Sequence, residues 1–130
     1  MQSGQFLIIT NNPIVKNIPN AEIQFVIGNQ RQVFYAALNK AAGGHRLLSH
    51  PLAGSIKPAD NPYRSMVLTA LATEVDYAAL NMLTYGLERM EAENTNRRDN
   101  LIIPQLDEDF QMIDKALLDQ ALPSLTERRV

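Results

Sequence analysis

The sequence predicts an α/β domain in three layers, a mostly parallel sheet of four or five strands with flanking helices, Rossmann-like but without a dinucleotide fingerprint. Three observations carry that expectation. Short apolar runs closed by turn residues alternate with longer segments of helical period. The order strand, helix, strand in the first fifty residues favours a right-handed parallel crossover. A chain of 130 residues, 45% apolar and 20% charged, suits one packed core.

Phe6 to Thr10 is a compact apolar run closed by Asn11-Asn12-Pro13, a buried first strand that ends in a turn. Asn12 is suited to cap a short helical turn with Pro13 at its first position, because proline has no N–H to leave unsatisfied. Ile23 to Ile27 is the second strand, stopped by Gly28-Asn29. In Gln30 to Ala42, Phe34, Leu38 and Ala41 fall at helical spacing with Val33 and Ala37 beside them. Gly43-Gly44 then supplies residues that take positive φ where a helix ends. Arg46 to Ser49 is the third strand and Ser65 to Leu71 the fourth.

Thr73 and Asp76 offer caps for a helix through about Glu93, with Leu80, Leu83, Leu87 and Met90 on one face. Asn94 to Asn100 is polar and aperiodic, so the chain divides into an α/β core over 1–93, a linker over 94–100 and a C-terminal segment over 101–130. In that last segment Leu101-Ile102-Ile103-Pro104 fits a fifth, edge strand. Asp107 to Leu122 reads as an amphipathic helix through Leu106, Phe110, Ile113 and Leu117. It packs on its own core or on a second subunit, the latter making a homodimer. Met66, Met82, Met90 and Met112 lie in apolar patterns and read as core fillers.

Several chemistries are excluded. Twelve Lys and Arg against fourteen Asp and Glu leave a net charge of -2, too little positive field to hold nucleic acid. Cysteine is absent, which removes disulfides, thiol nucleophiles, thiolate zinc sites, iron–sulfur ligation and prenylation. The longest unbroken apolar run, Val33 to Leu38, is six residues, whereas a bilayer crossing takes about twenty. The expectation is a cytoplasmic protein with no membrane partner. His45 and His50 form no His-Glu-x-x-His pattern, so no metal is expected, and no cofactor motif is present.

If the first and third strands are parallel neighbours, Thr10-Asn11-Asn12 and Ser49-His50-Pro51 emerge together at the carboxyl edge of the sheet, where open α/β sheets bind ligands. The loop from His50 to Arg64 is long for a connection within a compact domain, and it carries three prolines, Gly54, Ser55, Lys57 and Arg64. Residues 1–65 hold six Lys or Arg against two Asp or Glu, and residues 66–130 six against twelve, so positive charge gathers in the half that carries the loop. These features predict a site for a small anion, phosphate or carboxylate, lined by Thr10, Asn11, Asn12, Ser49, His50, Gly54, Ser55, Lys57, Tyr63 and Arg64. Lys57 and Arg64 supply charge, the serines hydrogen bonds, and Gly54 close backbone approach. The alternatives are a small enzyme with His50 as acid/base and Lys57 or Arg64 stabilising an oxyanion, and a protein-interaction or assembly module whose acidic last helix docks on a partner or on a second copy of itself. No Gly-x-Ser-x-Gly elbow accompanies His50, which makes binding the preferred reading.

From Gly44 to Ser65 the sequence reads GHRLLSHPLAGSIKPADNPYRS. With Thr10-Asn11-Asn12-Pro13 it resembles the GrdX family, small proteins encoded beside glycine, sarcosine and betaine reductase components. Gly44, His45, Leu47, Leu48, Ser49, His50, Pro51, Leu52, Gly54, Ser55, Lys57, Pro58, Pro62, Tyr63 and Arg64 carry the resemblance, which spans about residues 5–93. It implies an accessory or regulatory role in amino-acid reductive metabolism, with a reductase component as partner, and no established activity. Reduction in those enzymes uses selenocysteine or cysteine, which this chain lacks.

Overall fold

The computed structural model describes residues 5–49, 61–94 and 104–127. In chain order the elements are β1 (Phe6–Thr10), β2 (Ala21–Phe25), α1 (Gln30–Ala42), β3 (Ser65–Thr69), α2 (Tyr77–Asn94) and α3 (Pro104–Glu127). The sheet is small and mixed. Its three strands run in the order β2-β1-β3, with β1 parallel to β2 and antiparallel to β3. This corrects the expected Rossmann-like, mostly parallel sheet of four or five strands.

The correction has a topological cause. Arg46 to Ser49 does not form a strand beside β1; it touches the outer side of β3 through one bridge, Leu47 to Leu68. The hydrogen bonds Leu48 N–H to Val67 O, 2.8 Å, and Thr69 N–H to Arg46 O, 2.8 Å, hold it there. Ser49 points toward the end of the sheet at which β3 begins, since Thr10 at the end of β1 faces Ser65 at the start of β3. A connection that leaves and re-enters at one edge must return antiparallel; a parallel return needs a crossover. Of the proposed fifth strand over 101–104, residues 101–103 lie outside the described residues and Pro104 begins α3.

β1 is central, and all five of its residues are buried, as its unbroken apolar run requires of a strand covered on both faces. Strand alternation sorts them. Leu7 and Ile9 join Met66 and Leu68 beneath α1 and α2, against Val33, Phe34, Ala37 and Ala41 of α1 and Leu83, Leu87 and Met90 of α2. Phe6 and Ile8 join Val67 on the other face, with Val15 and with Leu118 and Leu125 of α3.

α1 has the limits its sequence predicts. The Asn29 side chain accepts from the Gln32 N–H while Gln32 Oε1 accepts from the Asn29 N–H, a capping box that satisfies two otherwise stranded donors. At the other end Gly44 has φ +106, and a Cβ there would stand 2.0 Å from the Thr73 carbonyl oxygen. Only glycine fits, because the Thr73 N–H donates to Gly44 O at 2.8 Å across that contact. Asp76 caps α2 through Ala78 and Ala79. α3 runs past Pro123, where the sequence reading stops it at Leu122. Leu125, 7% exposed, packs into the second core beyond the proline and helps offset its cost to the helix. No described helix is long and apolar enough to cross a membrane.

Candidate functional site

The carboxyl end of β1 holds most of the buried polar side chains among the described residues: Thr10, Asn11, Asn12, Gln30, Arg64 and Asp114. The period of two that sorts the core also sorts these. Asn11 continues the side of Leu7 and Ile9 and meets α1. Thr10 continues the side of Phe6 and Ile8 and meets α3. Across the strand pair Arg64 follows Met66 and Leu68 toward α1, and Ser65 follows Val67 toward α3.

On the α1 side Asn11 is the hub. Its Nδ2 donates to Gly28 O and to Pro62 O, both at 3.0 Å, and its Oδ1 accepts the Arg64 N–H at 2.9 Å. One amide therefore ties together the end of β1, the turn before α1 and the end of the long loop. The Arg64 side chain is buried, and its Nη2 and Nε donate to Gln30 Oε1 at 2.9 and 3.3 Å. Gln30, the first residue of α1, in turn donates through Nε2 to Asn61 O.

On the α3 side the hub is a carboxylate. Asp114 Oδ2 accepts from Ser65 Oγ at 2.7 Å and from Asn12 Nδ2 at 3.0 Å. Because the Ser65 proton goes to Asp114, the 2.8 Å bond between the two hydroxyls is donated by Thr10, whose own Oγ1 accepts the Asn12 N–H at 3.0 Å. Asn12 also donates to Gln111 O at 2.9 Å and accepts the Ile14 N–H at 3.1 Å, so it caps a turn over Pro13 that does not grow into a helix. Two turns before Asp114 along α3 the Tyr63 hydroxyl donates to Asp107 Oδ1 at 2.5 Å, and Gln111 Nε2 donates to Asp107 Oδ2 at 2.9 Å. Burial first, then the hydrogen bond to Asp107, push the Tyr63 phenol above its ordinary 10.0.

Of the ten residues singled out from sequence, Thr10, Asn11, Asn12, Tyr63 and Arg64 meet at this rim. Ser49 does not join their hydrogen bonds: its hydroxyl accepts the Val67 N–H at 3.0 Å on the outer side of β3, two residues inward from Ser65. Ser49 does head for the end of the sheet at which β1 finishes, but β3 stands between them, which corrects the expectation that the two segments are parallel neighbours. His50, Gly54, Ser55 and Lys57 lie outside the described residues. His45, five residues before His50, sits at the opposite end of the sheet, where its Nδ1–H donates to Thr69 O at 2.8 Å. A recess of about 400 Å³ lined by Arg46, Thr73, Glu74, Val75 and Asp76 also lies away from the rim.

Sequence reading missed Gln30, Asn61, Ser65, Asp107, Gln111 and Asp114. Asp114 left one legible signal, since it shares helical phase with Leu118 and Leu125, four and eleven residues on. Among the described residues no group of three or more His, Asp or Glu is placed to hold a metal ion.

Fold and rim together define a small mixed α/β protein whose strand ends are locked on one side by amides and a guanidinium and on the other by carboxylates. A family model described as GrdX-like protein matches residues 7–123, most of the chain, and the chain belongs to that family. The match runs on through α3 as far as Pro123. No curated protein and no solved structure matches.

Proposed function

We propose that this protein is an accessory or regulatory component of glycine, sarcosine or betaine reductive metabolism that holds a small anion, phosphate or carboxylate, on the α1 side of the rim. Membership of the GrdX-like family supports the metabolic setting. The observation that carries the binding reading is the position of the Arg64 guanidinium, buried at the carboxyl edge of β1 against the first residue of α1. Open α/β sheets take ligands at that edge, and guanidinium is the side chain best matched to two oxygens of a phosphate or carboxylate. The loop whose sequence contains Ser55 and Lys57 re-enters the described structure at this point, through Pro62 and Arg64. The carboxylates of α3 belong to the other face, so they do not oppose an anion beside Arg64.

The test is a thermal-shift panel of inorganic phosphate, sulfate, acetate and glycine. A ligand at about 100 times its dissociation constant adds about 2.7 kcal/mol, which raises the melting temperature by several degrees. Lys57→Ala is expected to lose that shift while keeping the unliganded melting temperature. If none of the four ligands raises the melting temperature, or if the rise survives unchanged in both Lys57→Ala and Arg64→Gln, the binding reading is wrong.

A further inference from the structure

The apolar stripe of α3 does not face the sheet. At 100° per residue, the side chains that reach the strands, Asp114, Leu118 and Leu125, lie within one narrow arc. Leu106, Phe110, Ile113 and Leu117 lie about a quarter-turn away. Leu106 is 40% and Ile113 50% exposed, and Phe110 and Leu117 belong to neither core cluster. Continuing round the helix come Ala116 and Met112, the latter 63% exposed. The helix turns this way because the strand ends it crosses are polar: Asn12, Ser65 and Tyr63 need the carboxylates and amide that Asp114, Asp107 and Gln111 present.

The uncovered arc has a definite charge. It carries Glu108 and Asp109, and Asp119 beside the one cation of α3, Lys115. That cation is tied to Asp119 at 2.7 Å. Glu108, Asp109 and Asp119 are exposed and interleave with Leu106, Met112, Ile113 and Ala116. Pairing about a twofold axis would set one acidic face against an identical one, where Glu108 and Asp109 of each copy meet no cation other than the Lys115 already tied to Asp119. A second copy is therefore a poor fit.

We infer that the outer face of α3 docks a basic amphipathic helix of a partner protein, its apolar residues meeting Leu106, Met112 and Ile113 and its Lys or Arg residues meeting Glu108 and Asp109. Apolar anchors at helical spacing give such docking its affinity, flexible methionine adapts to the partner's shape, and flanking charge selects orientation. The surface lies a quarter-turn from the rim contacts and is independent of any ligand there.

The probe is a fluorescent synthetic helix with leucines at helical spacing and lysines on the remaining positions, compared with a scrambled peptide of identical composition that has no apolar face. Fluorescence anisotropy is expected to give at least tenfold tighter binding of the amphipathic peptide, weakening as salt rises. Ile113→Glu and Met112→Glu should each reduce that binding at least tenfold, with circular dichroism and melting temperature unchanged because both side chains are exposed. Equal binding of the two peptides, or retention of binding in both variants, overturns the proposal. So does a dimer by sedimentation that Ile113→Glu dissociates, which would assign the face to a second copy.

Discussion

The two sides of the sheet's carboxyl edge are built from neighbouring residues and hold opposite chemistry. Asn11 and Arg64 turn toward α1, where the hydrogen bonds run among two amides, a guanidinium and backbone carbonyls. Thr10, Asn12 and Ser65 turn toward α3, where the acceptors are the carboxylate of Asp114 and a helix carbonyl. One residue of offset along an extended chain separates the cation from the anions by the thickness of a strand. Polar residues adjacent in sequence thus hold a buried guanidinium on one face and fasten a helix on the other. The second task explains why α3, a late element, stands among the residues nearest the rim.

The comparison breaks most sharply at Asp114. Its loss takes the acceptor from the Ser65 hydroxyl and from one hydrogen of the buried Asn12 amide, and a buried polar group left without its partner costs about 1–3 kcal/mol. Asp114→Ala is expected to lower stability by about 3 kcal/mol in urea unfolding, with Asp109→Ala, on the exposed face, within about 0.5 kcal/mol of the parent. If the sides are separate, Asp114→Ala and Arg64→Met add within about 0.5 kcal/mol in the double variant. A coupling above about 1 kcal/mol would mean that β3 transmits strain between them.

How far this arrangement could be read in advance depends on which interactions are local. The limits of α1 are legible because Asn29, Gln32 and the Gly43-Gly44 pair determine its ends within a few residues of chain. β1 is legible because an unbroken apolar run leaves a short strand no other environment. Strand order and direction are not, since the pattern of Ser65 to Thr69 is the same whichever neighbour it pairs with and whichever way it runs. The rim was half legible: Thr10, Asn11, Asn12, Tyr63 and Arg64 do gather there, but their division between two faces follows from register. α3 misled for a physical reason. Its apolar count points to Leu106, Phe110, Ile113 and Leu117, while the polar strand ends reward turning Asp114 inward instead. Met112 and Met82, read as core fillers, are exposed for similar reasons of helix rotation.

A smaller effect is expected on the α1 side. Asn11→Ala removes the donor to Gly28 O and Pro62 O and the acceptor of the Arg64 N–H. Gly28 is exposed and Pro62 half-buried, so water replaces part of what is lost, and about 2 kcal/mol is expected where a dry site would cost more. Hydrogen exchange sharpens the contrast. Protection at Arg64 should fall in Asn11→Ala while α3 amides keep theirs, and Asp114→Ala should give the reverse. Loss of protection on both sides in either variant would show that the rim opens as one unit.

The smallest expected effect is at Tyr63, which joins the end of the long loop to the first turn of α3. Tyr63→Phe keeps the ring and removes one hydrogen bond to a charged group, so about 1 kcal/mol is expected. Its signature is in pH. The folded-state phenol is held above 10.0 by burial and by Asp107, so the folded protein binds that proton more tightly than the unfolded chain does. The resulting stability is present in full below the unfolded value and fades as pH rises from about 10 through the higher folded value. Unfolding measured between neutral pH and about 11 should therefore fall more steeply in the parent than in Tyr63→Phe, the two curves converging at the alkaline end. Parallel curves would mean that the Tyr63–Asp107 bond contributes nothing to holding α3 against the loop.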